Sequence, residues 1–342
     1  MQRVAALLSV MVILLAGCST PLAAPPPPTL TPTPLPTPQP SPLPSATPIP
    51  APQSWLRDTT LLTIYGRGFG IAPILGMLGS DGSPDDMARQ AQPYVQGIQA
   101  ANGGKGVRLA IHLIYGLATP CGPHDNCLAY LDDAGTDIVR QYIQPAAKRG
   151  WLVVLDDQLG LSTPAAEVRR IIARGYLRYD KVVVALDPEF RTRSAAQTPG
   201  IPVGNVSAAE INAAAREVSV YARHNPTRHR RLLLVHQFQV PMIANRGALQ
   251  TRLPDVDPVI VADGFGDPGT KAAVYAALFG PRAPPVPFRG IKLFFPNPYE
   301  QAGHGDNPMM TWPQVFGRAP AYYAYDGKNY WVRPPPDVVI IA

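Results

Sequence analysis

Cysteine is scarce in this chain, with three residues in 342, and so is charge, at 16% of positions. Several motifs that would announce a chemistry are missing as well. Tyr65–Gly70 reads "YGRGFG" and lacks the G-x-G-x-x-G spacing of a phosphate-cradling loop. No H-x-H or H-E-x-x-H cluster offers metal-ligand spacing, which weakens any metal-dependent reading. Basic and aromatic residues do not interleave, so nothing points to nucleic acid. The densest basic cluster, "HNPTRHRR" (His224–Arg231), reads as a solvated helix end in a chain of formal net charge +6. No internal repeat and no second-domain boundary appears.

The N-terminus is read first because it sets the compartment. Arg3 is the only charge before the apolar run Val4–Leu15, which is too short for a spanning helix and reads as a signal-peptide core. "LAGC" follows and resembles a bacterial lipobox. Residues 1–17 would then be a lipoprotein signal peptide, and Cys18 the lipidated first residue of a protein anchored to the outer face of the cell membrane. A plain secretory signal is the alternative, and it too implies export. Residues 21–52 hold 15 of the 42 prolines and no charge. Such a tract favours extended polyproline II, and at about 3.1 Å per residue it reaches up to roughly 100 Å. Residues 18–53 are therefore read as lipidated Cys and linker, and 54–342 as the folded domain. The tract as a ligand for a proline-binding domain is the alternative. Cys121 and Cys127 lie in "CGPHDNC", and outside the cell they are expected to form a disulfide. A metal pair with His124 is the competing reading.

Apolar runs recur with helical patterns between them. Strands are expected at Leu61–Tyr65, Val107–Tyr115, Trp151–Asp156, Lys181–Asp187, Arg231–His236, Pro258–Asp263, Gly290–Phe295 and Ala321–Tyr325. Helices are expected over Pro84–Ala101 and Ala134–Arg149, and after Thr163, which can cap a helix with Pro164 at its first position. "SAAE" (Ser207–Glu210) is a capping box opening a helix to about His224, and "TWPQ" (Thr311–Gln314) opens a short last one. Short apolar strands alternating with helices imply a parallel sheet covered on both faces. Eight of them in about 290 residues is the count for a single α/β (β/α)8 TIM-type barrel. A doubly wound open sheet is the main alternative, disfavoured by the missing glycine loop.

Barrel enzymes place their chemistry at the C-terminal strand ends, and here those ends are polar. In "VVVALDPEF" (Val182–Phe190), alternation puts Val183, Ala185, Asp187 and Glu189 on one face and Val182, Val184 and Leu186 on the other. Pro188 keeps Asp187 extended. The same count gives an inward face to Arg108, Ala110 and His112, to Leu234 with His236, to Val261 with Asp263, and to Lys292 with Phe294. One of Asp156 and Asp157 must face inward. Glu189, Asp187, Asp263 and Asp157 are the catalytic candidates. His112, Asp156, His236, Gln237, Lys292, Tyr299 and Tyr325 are the candidates for substrate contact, while Arg108 near the bottom reads as structural. Each has a plainer role open to it: a loop cap for Asp156 or Asp157, a turn for Asp263 before Gly264, a hydrogen-bonded core position for His236, and an ion pair for Lys292.

The fragments "VVVALDPEF", "IPVGNVSAAEINA", "LLLVHQF", "ADGFG" and "IKLFF" resemble a family of exported bacterial proteins, many of them lipoproteins, with a glycoside-hydrolase-like TIM barrel. The resemblance covers about Lys181 to Tyr325 and implies the barrel and a site at its strand ends, but no activity. A looser likeness is to chitinase-like barrels, whose fourth strand closes on D-x-E with the Glu as general acid. Asp187 and Glu189 match that spacing. Val182 and Ala185 stand where the fuller D-x-x-D-x-D-x-E pattern has its earlier aspartates.

Three functions compete at this level. The leading one is a surface-anchored glycoside hydrolase acting on a cell-wall or environmental glycan. Glu189 would be the acid, its pKa raised by crowding beside Asp187, and Asp263 or Asp157 the base or nucleophile. Trp312, Tyr299, Tyr323 and Tyr325 would stack on sugar rings, and the loops Arg191–Val206 and Pro296–Met310 would shape a cleft. The second is a glycan-binding lipoprotein without catalysis, favoured by the absence of a Glu at the end of the seventh strand. The third is a metal-dependent hydrolase using His112, His236 and the aspartates. No cofactor is expected. The expected partners are the membrane, through Cys18, and a carbohydrate.

Overall fold

Eight parallel strands close on themselves. The computed structural model of the chain describes residues 51–122, 126–295 and 305–342. The expected signal peptide, Cys18 and nearly all of the proline-rich segment lie outside the described residues, as do His124 and Tyr299. No helix among the described residues is long and apolar enough to cross a membrane.

The barrel strands are β1 (Thr59–Gly66), β2 (Gly106–Ala118), β3 (Leu152–Asp157), β4 (Val182–Leu186), β5 (Arg231–Gln237), β6 (Val256–Ala262), β7 (Phe288–Leu293) and β8 (Val338–Ile341). Each pairs in parallel with its sequence neighbours, and β1 pairs with both β2 and β8, which shuts the ring. The (β/α)8 expectation holds, with one correction. Ala321–Tyr325 is not the eighth strand: Ala321–Tyr323 forms an antiparallel hairpin with Lys328–Tyr330, packed on the outside. The eighth place belongs to Val338–Ile341, whose four residues are all buried between β1 and β7.

The helices start where their caps predict. Ser83 accepts from the Asp86 N–H at the head of α1 (Pro84–Ala101). A short α2 (Gln144–Lys148) extends a wider turn over Val139–Ile143. Helix there begins later than Ala134, because Gly135 takes a φ of 87° and Asp137 accepts the Arg140 N–H at 2.9 Å. Thr163 caps α3 (Pro164–Ala173). The Ser207–Glu210 box closes reciprocally at the start of α4 (Ala208–His224), with contacts of 3.2 and 2.9 Å. α5 (Pro268–Phe279) follows β6, and α6 (Trp312–Val315) opens with Gln314 accepting the Thr311 N–H. Between β5 and β6 there is no α-helix, only 3-10 turns at Val240–Met242 and Arg246–Ala248 and the short strand Ile243–Ala244, which pairs with Val206–Ser207.

Two cores result. Val182, Val184 and Leu186 pack outward against the helices with Ile211, Val218 and Val168. Val183 and Ala185 face inward with Leu61, Ala110, Val154, Leu234, Val261, Val338 and Ile340, as alternation requires. At the bottom, Trp55 and Leu56 join this inner core. Arg108 lies over the Trp55 ring and donates to the Gly150 carbonyl at 2.7 Å, the structural role expected of it. Cys121 and Cys127 are disulfide-bonded.

Candidate functional site

Above the apolar layers the lumen turns polar, and each polar residue continues the inward face of its strand. Thr63 and Tyr65 rise from β1, His112 from β2, Asp156 from β3, Asp187 from the end of β4, His236 from β5, Asp263 from the end of β6 and Lys292 from β7. Asp156 pairs in register with inward-facing Ala185, so it is the inward member of the Asp156–Asp157 pair. Asp157 pairs with outward-facing Leu186 and lies between sheet and helices, where burial and then the nearby Glu167 push its carboxyl well up. Its expected catalytic place in the lumen is therefore corrected. Gln237, also outward, donates to the carbonyls of Gln239 and Val240 at 3.1 Å and shapes the turn after β5 instead of meeting substrate.

The lumen groups form a relay of contacts. Thr63 Oγ1 lies 3.1 Å from His112 Nδ1, and His112 Nε2 lies 3.1 Å from Asp156 Oδ2. The same Oδ2 is 3.2 Å from His236 Nε2, and His236 Nδ1 is 2.8 Å from Asp263 Oδ2. Lys292 Nζ closes the series 3.2 Å from Asp263 Oδ1 and 4.0 Å from the centre of the Tyr65 ring. A carboxylate only accepts, so His112 donates from Nε2 to Asp156 and its Nδ1 accepts from the Thr63 hydroxyl.

Charge is balanced along this relay. Burial drives His112 down to about 4, leaving it neutral. Burial opposes charge on His236 too, but Asp156 and Asp263 on its two sides outweigh that and raise it to about 10. Burial likewise pushes Asp156 and Asp263 upward, yet their cationic neighbours hold both below the ordinary carboxylate range. Lys292 remains charged beside Asp263. Two carboxylates thus face an imidazolium and an ammonium. Buried charges persist when they are paired in this way.

Glu189 and Asp187 stand apart from that pairing. Asp187 takes an extended backbone before Pro188, and its side chain accepts the Glu189 N–H at 3.1 Å, capping the turn Pro188–Phe190 that carries Glu189. Gly204 backs this turn so closely that a Cβ there would sit 2.3 Å from the Pro188 carbonyl oxygen. Burial, and then the charge of Asp263, push Glu189 up to about 7. Burial lifts Asp187 well above the usual carboxylate range. The expected cause of the Glu189 shift was crowding by Asp187; the operative causes are burial and Asp263.

Glu189, Asp263 and Lys292 open onto a cavity of about 460 Å³ at the barrel mouth. Gln158 and Tyr65 join them on its floor, and Phe190, Phe238, Phe265, Phe294, Ile74 and Val274 form its sides. Tyr65 is neutral, raised by burial and then by Asp156, Asp187 and Asp263. Lys271, 3.0 Å from Asp306, ties the loops after β6 and β7 at the rim. Of the expected rim aromatics, Tyr299 lies outside the described residues, and Trp312, Tyr323 and Tyr325 lie away from the cavity. Tyr325 is 89% exposed on the outer hairpin, and Trp312 packs on α1 beside Gly97 and Tyr94. The residues that sequence reasoning missed followed a readable signal. Tyr65 continues the inward alternation of Leu61 and Thr63, and Phe238 and Phe265 each stand two residues beyond an inward His236 or Asp263.

Among the described residues, two sets bring one potential ligand atom each within 4.8 Å of one another: His112, Asp156 and His236, and Asp187, Glu189 and Asp263. In the first, His236 is already paired through both ring nitrogens, with Asp156 and Asp263, so a metal would have to displace those contacts. The second is an oxygen-only set suited to a hard divalent cation. No family model, curated protein or solved structure matches the chain, so its kinship rests on no relative and its site on geometry alone.

Proposed function

We propose that the barrel mouth is the active site of a glycoside hydrolase of the retaining kind. The observation that carries this reading is the pairing of Glu189 with Asp263. The two carboxyls have oxygens within 4.8 Å of one another at the floor of a cavity, and their environments push their pKa values apart. Glycosidic cleavage needs one protonated carboxyl to donate to the leaving oxygen and one ionised carboxylate opposite the bond. Glu189, at about 7, is the donor. Asp263 is the nucleophile, kept anionic and oriented by Lys292 and His236. Oxygens this close set the carboxyls nearer than the roughly 6.5–9.5 Å separation of inverting enzymes and favour a covalent glycosyl-enzyme. Water then attacks that intermediate with Glu189 as base. Asp187 positions Glu189 through the turn it caps, and the neutral Tyr65 hydroxyl is a donor beside the reacting carboxylates. Export and anchoring through Cys18 would put the site at the cell surface.

The deciding experiment measures reducing-end release over a panel of polysaccharides and aryl glycosides, for the native protein, for Glu189→Gln and for an EDTA-treated sample. The expected result is activity that survives EDTA and falls by about 10²–10⁴-fold in Glu189→Gln. Loss in EDTA would instead assign the work to a cation on the Asp187–Glu189–Asp263 set. Silence across the panel, with a glycan still raising the melting temperature, would identify a binding protein.

A further inference from the structure

A second opening lies on the outer wall. Because no α-helix joins β5 to β6, the chain after β5 leaves a groove of about 1040 Å³ between residues 240–248 and the end of α5 with the segment after it, residues 276–284. Its walls are small and apolar, among them Ile243, Ala244, Ala276, Ala277 and Pro284, and no acidic residue lines it. Arg246 lies in this wall at 7% exposure, with Nε and Nη2 buried and without a hydrogen-bond partner. Its neighbour is the Phe279 ring, whose centre is 5.4 Å from the guanidinium carbon. Burial lowers its pKa to about 10, with no carboxylate acting on it.

Arg191 Nε and Arg231 Nε and Nη2 are also buried without partners, but each of these arginines, like Arg67, makes a hydrogen bond or ion pair elsewhere on its guanidinium. Arg67 donates to the carbonyls of Ile114, Tyr115 and Ala129, Arg191 pairs with Glu210, and Arg231 donates to the Tyr179 carbonyl. Arg246 has no such partner among the described residues. A buried cation without a counter-charge is unfavourable, and a guanidinium fork matches a carboxylate in two-point geometry. Arg282, at the exposed edge of the groove, adds positive charge.

We propose that this groove binds an anionic amphiphile, with a carboxylate on Arg246 and an alkyl chain along the Ala and Pro wall. The charge complementarity selects the head group, and the apolar lining selects the tail. The site is separate from the barrel mouth and does not depend on the reading given to it.

The test is thermal unfolding of the full chain with decanoate, decyltrimethylammonium or inorganic phosphate, each below any micelle-forming concentration. Decanoate at tenfold excess over its Kd is expected to raise Tm by about 2–5 °C. The shift should vanish in Arg246→Met. It should also vanish in Ala277→Glu, which sets a carboxylate into the groove from an exposed helix position and keeps the test open if Arg246→Met does not fold. Equal shifts from decanoate and the ammonium, a decanoate shift that persists in both variants, no shift with decanoate, or a phosphate shift as large as that of decanoate would overturn the proposal.

Discussion

Glu189 and Asp263 carry the same functional group and are driven in opposite directions by their surroundings. Under the proposed mechanism the rate should fall as pH rises through about 7, where Glu189 loses its proton. The acid limb should lie below the ordinary 3.8 of an aspartate, since Lys292 and His236 hold Asp263 ionised. A profile of kcat/KM against pH checks both limbs, and a rate flat to pH 9 would remove Glu189 as the acid. His236 answers to stability. Its folded pKa, about 10, exceeds the ordinary 6.5, so its contribution is complete below 6.5 and is lost as pH climbs through 10. Those of Asp156 and Asp263, whose values are depressed, are present above 3.8 and are lost at lower pH. His236→Gln removes the imidazolium shared by two buried carboxylates and should cost about 3–5 kcal/mol in urea unfolding. Alternation along each strand placed His112, His236, Asp263 and Lys292 in one lumen from sequence alone. It could not choose between Asp156 and Asp157, because a register shift between Ile114 and Gly116 beside them leaves the pairing partner to decide. Nor could it weigh burial, which moves Glu189 more than any neighbour does.

At the scale of elements, the capping residues were the most legible feature, since a cap is a local hydrogen bond between residues two or three apart. Thr163 and Ser207 both start helices where their spacing says. The eighth strand was not legible, and the reason is physical. "AYYAY" has the aromatic content of a strand but packs only one edge of a surface hairpin. "VVII" follows three prolines and is too short to show a period, yet it is wholly buried. What distinguishes them is long-range pairing with β1 and β7, which no local pattern encodes. The energetic consequence is testable. Ile340→Ala, in the inner core, should lose about 2–5 kcal/mol of stability. Tyr325→Ala, on the hairpin, should change stability by about 0.5 kcal/mol or less and leave any hydrolysis untouched. Paired denaturant melts of the two variants would check this.

At the scale of the molecule, the ring is finished by its last strand. Leu61–Ile64 and Gly290–Leu293 find their partners in the same four residues, Val338–Ile341. Until those residues arrive, both neighbouring strands keep a row of unsatisfied backbone groups, and the lumen stays open along one side. Termination at residue 337 should therefore yield a chain that unfolds without a cooperative transition and is cleaved rapidly by protease, as limited proteolysis would show. The arrangement also bears on how the protein is made. A polypeptide emerging from a ribosome cannot close the barrel before Val338–Ile341 is free to pair. Copies that lack Val338–Ile341 would present two sticky edges to whatever degrades them.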